Sequence, residues 1–478
     1  MPGYPARVSD EMKIPKGSLR RSAKLGTALG GQAAKYAGTK AASVARSEAE
    51  AEEKLEARHL ETALKMVRTL GEMKGAAMKI GQLASFIDTE FLPPEYAEMY
   101  QEELGKLRTS APPMPWEKVS AVLEEELGED VTQNFAEFET EAFAAASIGQ
   151  VHRATLIDGR PVAVKIQYPG VAEALESDMR NAGMLVRLAK ALAPGLDAKA
   201  VASELRERVL EELDYEYEAQ NQRSFSRGYR GHPFIYVPDV ITRLSRRRVL
   251  VTEFVEGAQF DEIKQLGHDE RSRFGEIVFR FCFGSIYHLQ HFNADSHPGN
   301  YLLMADGRVA FLDFGMTKKL DLEQIKLEQM ALDAAIRKDS EALRHSLHDL
   351  GFVKHPSKLD ADRLMDHVML VGGWYLEDGE YEVSARRVMK IIESASDPRS
   401  EYYSLMRRES LPAEELMGRR METGLIAVLA QLAAKRNWHR IMREWVYADE
   451  PATELGIAEW EYFEGRGIKR VPGIAQDP

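Results

Sequence analysis

Two aspartates and an asparagine follow one another at intervals that suit the transfer of a phosphoryl group. Asp295 lies five residues before Asn300, and Asp313 opens an Asp-Phe-Gly tripeptide. Between them, two apolar runs flank Asp306-Gly307, a strong signal for a hairpin with a two-residue turn. In that register Asn300 faces Asp313, and their amide and carboxylate oxygens would hold a hard divalent cation. Asp295, one short loop earlier, is predicted to orient an attacking hydroxyl or water.

A second predicted hairpin lies upstream and presents a lysine. In the strand that follows Asp158-Gly159, apolar residues from Val162 to Ile166 alternate with Ala163 and Lys165. Because side chains on a strand point alternately to its two faces, one face is predicted to be core and the other to carry the lysine.

The order of these motifs resembles the protein-kinase fold. There, D-x-x-x-x-N and D-F-G form the catalytic and metal-binding loops, and a strand lysine reaches the nucleotide phosphates. By this resemblance Lys165 would contact the phosphates of ATP, and the Glu253 carbonyl and Val255 N–H would hydrogen-bond the adenine. Ordinary kinases have glycines in the loop over the phosphates, and three alanines and a serine here predict a stiffer loop. These four residues are Ala144, Ala145, Ala146 and Ser147.

An acidic helix offers the carboxylate that Lys165 needs in a partly dry cleft. A helix is predicted over residues 199–226, and Glu211, Asp214 and Glu218 recur along it at i, i+3 and i+7. Most acidic helix faces are simply solvated. Here Glu218 is the predicted partner of Lys165.

The composition limits the classes of function. The 478 residues are 44% hydrophobic and 29% charged, as in ordinary globular proteins, and the formal charge of -13 argues against nucleic-acid binding. Residues 1–46 nevertheless hold nine lysines and arginines against two acids. This segment is either a mobile arm or a basic contact with an anionic membrane surface. The single cysteine, Cys282, is predicted to be buried.

No apolar stretch is long enough for a membrane span or for the core of a secretory signal. A cytoplasmic location is therefore expected, with peripheral membrane contact through the basic arm as an addition.

The chain is predicted to have four parts. Residues 1–46 form the basic arm, 47–130 a helical extension, 131–256 a kinase-like N-lobe, and 257–478 a kinase-like C-lobe with a largely helical C-terminal region. The predicted fold class is α+β, with two lobes. The other predicted elements are helices over Trp116–Leu127 and about Asp269–Phe292, and strands over Ile235–Ile241 and Arg248–Glu253. Core or packing positions are predicted for Trp374, Trp438, Trp445 and Trp460.

Four motifs in this order resemble the UbiB/AarF family of atypical, ADCK-type kinase-like proteins. They are Lys79-Ile80-Gly81-Gln82, the alanine loop, Glu212-Leu213-Asp214, and the pair formed by Asp295 to Asn300 and Asp313-Phe314-Gly315. The resemblance implies ATP and magnesium as cofactors. It also implies an ATPase or a kinase of small-molecule or lipid substrates that supports isoprenoid quinone biosynthesis.

In that family the first motif forms a regulatory lid over the nucleotide cleft. By resemblance, Lys79 and Gln82 would meet Glu212 and Asp214. Residues two apart on a straight helix point in opposite directions, so this contact requires a local distortion of the acidic helix.

The catalytic loop departs from the family pattern at two positions. Asn293 stands where a histidine is usual, and Ser296 where a proline is common. The first position braces the loop, and an asparagine can still hydrogen-bond there.

Two other functions stay open. The His-Pro-Gly-Asn sequence also occurs in small-molecule phosphotransferases such as the aminoglycoside kinases, although the lid motif and the alanine loop do not belong to that group. A nucleotide-binding pseudoenzyme or regulator is the second alternative, and the presence of Asp295, Asn300 and Asp313 argues against it. The sequence predicts neither the physiological substrate nor the oligomeric state.

Overall fold

The described part of the chain confirms a two-lobed α+β fold. The structure, a computed structural model, describes residues 114–128, 133–146, 148–173, 210–396 and 416–475, with residues 203, 206, 207 and 402. The predictions for the basic arm, for the extension before residue 114, and for Lys79, Gln82 and Ser147 lie outside these residues.

A lobe built on a sheet precedes a helical lobe. The strands are β1 (Phe135–Phe138), β2 (Ala144–Ala145), β3 (Gly149–Leu156), β4 (Pro161–Gln167), β5 (Ile235–Tyr236), β6 (Val249–Glu253), β7 (His291–Asn293), β8 (Tyr301–Leu303), β9 (Val309–Phe311), β10 (Thr317–Lys319), β11 (Tyr381–Glu382) and β12 (Lys435–Arg436). The α-helices are α1 (Trp116–Leu127), α2 (Tyr215–Gly228), α3 (Phe260–Ile263), α4 (His268–Phe279), α5 (Ser285–Leu289), α6 (Leu322–Ile336), α7 (Ser340–Asp349), α8 (Ala361–Leu376), α9 (Ala385–Ser396), α10 (Leu416–Leu432), α11 (Trp438–Val446) and α12 (Glu454–Gly465).

The N-lobe is an antiparallel sheet with α1 packed on one face. The sheet runs β1-β3-β4-β6, and β2 pairs with the start of β3. Alternation along β4 buries Val162 and Val164 completely and leaves Lys165 on the opposite face, as the sequence predicts. Val119 and Leu123 of α1 complete this core. The predicted helix Trp116–Leu127 and the predicted strand ending at Glu253 are both confirmed.

Both predicted hairpins form, and both turn through three residues, whereas a two-residue turn is predicted at Asp306-Gly307. In each, an Asp-Gly-Arg sequence closes the turn, and the glycine is left-handed, with φ of 85° at Gly159 and 83° at Gly307. The preceding aspartate accepts a hydrogen bond from the arginine N–H two residues later. A left-handed glycine at the end of the turn is typical of three-residue hairpin loops.

This extra turn residue changes the register at the metal motif. The Leu312 N–H, not a group of Asp313, bonds to the Asn300 carbonyl at 3.1 Å, and Leu303 pairs with Val309. The prediction that Asn300 directly faces Asp313 is therefore wrong by one residue. Asp313 follows immediately, at the same end of the β8–β9 hairpin.

The segment between β4 and β6 departs from the prediction at two points. The predicted helix over 199–226 is interrupted, because Asp214 has extended backbone (φ -119°, ψ 93°) and caps the start of α2. The predicted strand Ile235–Ile241 ends at Tyr236, two residues before Pro238, which has no N–H to donate to a sheet. The short β5 pairs in parallel with β9.

The long helix of the C-lobe leads to the catalytic loop but ends earlier than predicted. It runs through α4, a π-helical segment (Arg280–Gly284) and α5. Gln290 then adopts a left-handed φ of 53°, and the chain enters β7, which pairs with β10. Cys282 is 1% exposed, as predicted, and burial raises the pKa of its thiol to about 12.

The C-terminal region is largely helical, as predicted. Trp374, Trp438 and Trp445 pack with Phe279 in the main core. Trp460 is not a core residue, because its side chain is 43% exposed on α12. None of the helices within the described ranges is long and apolar enough to cross a membrane.

A buried ion cluster joins the π-helical segment to the C-terminal helices. Arg280, which is 0% exposed, donates to Glu276 at 3.0 Å, to Glu444 at 2.8 Å and to Glu459 at 2.9 Å. The three carboxylates are nearly as buried as the arginine. Removal of one member of such a cluster leaves buried charge without compensation.

Arg280→Ala is therefore expected to lower the free energy of unfolding by about 3–5 kcal/mol, measured by urea denaturation. Arg440→Ala is the matched control, because the Arg440 side chain is 62% exposed in its pair with Asp378. Its expected effect is below about 1 kcal/mol. Equal losses in the two variants would contradict the structural role of the cluster.

Candidate active site

A partly buried lysine on the N-lobe sheet, 17% exposed, forms the centre of the candidate site. Lys165 Nζ on β4 donates to the two Glu218 oxygens on α2 at 2.8 and 2.9 Å, and lies 3.5 Å from Asp313 Oδ2. The Glu218 side chain is 5% exposed. Burial alone would lower the pKa of Lys165, but Asp313 and Glu218 outweigh it and raise that pKa well above its ordinary value. The structure thus brings together the pair that the sequence predicts, with the lysine charged.

Asp313 is held by its own tripeptide. Its Oδ1 accepts a hydrogen bond from the Gly315 N–H at 2.9 Å, so Oδ2 is the oxygen near Lys165. Phe314 is 0% exposed and packs against Phe225 of α2, with ring centroids 5.0 Å apart. The aromatic residue therefore anchors the tripeptide to the helix that carries Glu218.

Asn293 braces the catalytic loop at the position where the sequence departs from the family pattern. Its Nδ2 donates to the Asp313 carbonyl at 2.6 Å, and its Oδ1 accepts from the Asp295 N–H at 2.9 Å. One side chain thereby links the two predicted acidic residues. The expectation that an asparagine can hydrogen-bond at this position agrees with these contacts.

Both carboxylate oxygens of Asp295 have a partner. Asn300 Nδ2 donates to Oδ2 at 2.8 Å, and Arg420 Nη2 donates to Oδ1 at 2.6 Å. Burial alone would raise the pKa of Asp295, but the charge and hydrogen bond of Arg420 outweigh it and hold the pKa below its ordinary value. The carboxylate of Asp295 is thus held in place by two donors, and its oxygens can still accept a hydrogen bond from an acceptor hydroxyl and orient it.

The predicted metal ligands have the donor atoms that magnesium prefers. The Nδ2 of Asn300 donates a hydrogen bond to Asp295, so the side-chain oxygen of Asn300 is not used in that contact. The Gly315 N–H holds one carboxylate oxygen of Asp313. Two hard oxygens cannot fill an octahedral shell, so nucleotide phosphates and water would supply the rest. Within the described ranges there is no cluster of three His, Cys, Asp or Glu side chains able to hold a metal. Asn300 and Asp313 remain the predicted magnesium ligands.

Sequence reasoning missed Arg420. It lies 125 residues after its partner Asp295, on α10, in a region without any motif. No local pattern marks it, because an arginine in a helix is most often solvated. Only the packing of α10 on the catalytic loop reveals the pair.

The alanine loop and the predicted adenine contacts lie at the front of the N-lobe. Ala144 and Ala145 pair with β3, and the Ala146 N–H bonds to the Gly149 carbonyl at 2.9 Å, so this segment is a tight hairpin. A side chain at Gly149 would place its Cβ 2.2 Å from the Ile166 carbonyl oxygen. The hairpin therefore requires this glycine.

Glu253 ends β6, and Val255 follows in irregular, half-buried backbone. The Glu253 side chain accepts hydrogen bonds from the Tyr236 hydroxyl and the Asp239 N–H. These contacts fix the end of the strand, and the adenine contacts of its carbonyl and of the Val255 N–H stay a prediction.

The helix is interrupted between Glu212 and Asp214, the two acidic residues predicted to meet the lid. Glu212 belongs to the helical residues before the break, and Asp214 is the N-cap of α2, where it accepts from the Glu216 N–H at 3.0 Å. The two side chains are thus not on one straight helix. Their predicted contacts with Lys79 and Gln82 fall on residues that the structure does not describe.

Comparisons with known proteins agree with this geometry. The family model of the ABC1 atypical kinase-like domain matches residues 106–347. The chain is 33% identical over 355 residues to the atypical kinase COQ8B, mitochondrial, of Rattus norvegicus, which covers 72% of this chain and 66% of the rat protein. It is 32% identical over 305 residues to the probable serine/threonine-protein kinase abkA of Dictyostelium discoideum, covering 60% and 53%. The chain therefore spans about half to two-thirds of the length of these relatives.

A solved structure is also similar. The complex of Rv3197 with erythromycin from Mycobacterium tuberculosis has a TM-score of 0.60 and 32% sequence identity, and the match covers 82% of this chain and 98% of that one. The fold is therefore shared over most of the chain.

Glu218→Ala is expected to lower the free energy of unfolding by about 3 kcal/mol, the lower end of the range for breaking a buried ion pair, because Asp313 still faces Lys165. Thermal and urea denaturation measure this loss. Glu216→Ala is the control on the same helix, since the Glu216 side chain is 39% exposed in its pair with Arg223. A loss in Glu218→Ala no larger than in this control would show that the Lys165–Glu218 pair does not stabilise the fold.

Proposed function

We propose, from the premise that the chain belongs to the ABC1 atypical kinase-like family, that it binds ATP with magnesium and transfers or hydrolyses its γ-phosphoryl group. The observation that carries the proposal is the convergence of Lys165, Glu218 and Asp313 from three separate elements. Such a charged lysine suits the phosphates of a nucleotide.

Each side chain has a role in this proposal. Lys165 would contact the phosphates, and Asn300 and Asp313 would hold magnesium, which neutralises phosphate charge when it is bound. Asp295 would orient the acceptor hydroxyl or water. It would take the proton as the acceptor oxygen bonds to the γ-phosphorus and the bond to the leaving ADP oxygen breaks.

The acceptor is proposed to be a small molecule or a lipid, and the pathway isoprenoid quinone biosynthesis. This proposal rests on the resemblance of the motifs and on the COQ8-type relatives. The basic segment 1–46 is proposed to contact anionic lipid, because clustered lysines and arginines are attracted to such surfaces.

A macrolide phosphotransferase is the second candidate. The similar mycobacterial protein was solved with erythromycin, and the His-Pro-Gly-Asn loop is shared with antibiotic kinases. Mass spectrometry of erythromycin incubated with the protein and ATP separates the two functions, since phosphorylated erythromycin would favour the second.

Steady-state ATP hydrolysis by the purified chain is expected to require magnesium. Asp313→Asn is expected to reduce kcat at least about 100-fold, because it removes the charged ligand of the metal. Asp306→Asn is the matched control, since Asp306 lies in the exposed turn between the two motifs and contacts Arg308. Turnover that survives both Asp313→Asn and a chelator would contradict the proposal.

Anionic liposomes, added together with a quinone-precursor phenol, are expected to raise this turnover at least about twofold. The basic arm is attracted to anionic lipid and would hold the protein at the membrane surface. The variant Arg20→Gln/Arg21→Gln/Lys24→Gln is expected to keep its basal rate and lose the response to liposomes. Neutral liposomes are the control. Equal stimulation by neutral and anionic vesicles would argue against an electrostatic contact.

A further inference from the structure

We propose that Arg420 on α10 is a positioning residue for the catalytic carboxylate Asp295, so that a C-terminal helix completes the phosphoryl-transfer site. The inference rests on the proposed function, because it assigns Asp295 the acceptor hydroxyl. It concerns a residue that is distant in sequence from every motif of the catalytic loop.

The geometry of the Asp295 carboxylate carries the inference. Arg420 Nη2 lies 2.6 Å from Oδ1, and Asn300 Nδ2 lies 2.8 Å from Oδ2. The two donors fix the plane of the carboxylate from opposite oxygens. Each oxygen has a second lone pair, so Oδ1 can also accept a hydrogen bond from a hydroxyl while it keeps its hydrogen bond from Arg420. The Asp295 and Arg420 side chains are 19% and 23% exposed, which leaves the pair accessible to an acceptor.

The helix that carries Arg420 is packed tightly on the catalytic loop. The Ser296 hydroxyl donates to the Met421 carbonyl at 3.3 Å. At Gly424, one turn after Arg420, a Cβ would lie 2.9 Å from Ser296 Cβ, so only glycine allows this approach. Met421 and Leu425 are at most 2% exposed in the C-lobe core. Arg420 therefore projects from a helix whose position relative to Asp295 is fixed.

The charge of Arg420 gives it a role beyond orientation. Asp295 must stand close to the phosphoryl group that its acceptor attacks, and two negative groups repel each other strongly where water is partly excluded. The guanidinium offsets the carboxylate charge, while its fixed donors keep the carboxylate aligned. A lysine supplies the charge but not the planar donors, so it is expected to replace the arginine only in part.

The experiment compares Arg420→Ala and Arg420→Lys with the wild type in magnesium-dependent ATP turnover. Arg420→Ala is expected to lower kcat about 10- to 100-fold, as misplacement of a reacting group does, and to leave KM for ATP within about threefold. Arg420→Lys is expected to recover part of the loss in kcat.

The matched control is Arg419→Ala, one residue earlier on α10. Arg419 interacts electrostatically with His367 and Tyr375 of α8. Its removal is expected to leave kcat unchanged. A second measurement places Arg420→Ala in the Asp295→Asn background, where it is expected to cost less than about a further twofold, since residues that act as a unit are not additive.

The outcomes separate this inference from the function on which it rests. Absence of magnesium-dependent turnover in the wild type would overturn both. Wild-type turnover that Asp295→Asn abolishes but Arg420→Ala leaves intact would overturn the inference alone. Equal loss of kcat in Arg420→Ala and Arg420→Lys, together with a lowered Tm in both, would also overturn it, because a purely structural role predicts that pattern.

Discussion

One partly buried cation, Lys165, links the two lobes. Lys165 projects from the central strand of the N-lobe sheet, and its charge is stable there only because two carboxylates face it. Glu218 comes from α2, which lies between β4 and β6 in the chain, and Asp313 comes from the C-lobe, directly after β9. Any rigid displacement of one lobe would separate charges that water cannot fully solvate. The requirement for charge compensation thus acts as a constraint on the relative position of three elements.

The catalytic loop depends on that constraint through short polar contacts. Asn293 bonds to the carbonyl of Asp313 and to the N–H of Asp295, so the position of one acidic residue is transmitted to the other. Phe314 buries the intervening tripeptide against α2. An amide at position 293 suits this double role because it has one donor and one acceptor, and neither titrates. The departure from the usual histidine therefore preserves the bracing of the loop.

Much of this structure could be predicted from the sequence because it depends on residues that are neighbours in the chain. The rest depends on contacts between residues that are distant in the chain, and no local pattern marks these contacts. Alternation identified the buried face of β4, and the Asp-Gly pairs located both hairpins, but the register depended on a third turn residue that pattern alone does not reveal. The helical pattern alone did not predict the break at Asp214, and only the resemblance of the lid motif called for a distortion there, which the structure shows as an N-cap. Arg420 reaches Asp295 across 125 residues, and nothing near it in the chain records that contact. Predictions for Lys79 and Gln82 concern residues outside the described ranges.

The charges of the cleft determine which ligands it can bind. Among the residues that the structure describes, three carboxylates, those of Glu218, Asp295 and Asp313, face two cations, those of Lys165 and Arg420. This excess of negative charge is unfavourable to a polyphosphate alone, whereas a divalent cation at the predicted metal ligands would reverse the balance. The two basic side chains then act at different ends of the site. Lys165 compensates charge where the nucleotide would lie, and Arg420 does so where the acceptor would lie. A carboxylate can stand beside a phosphate only with such compensation, so the C-terminal helix is as much a part of the electrostatics as the motifs that identify the site.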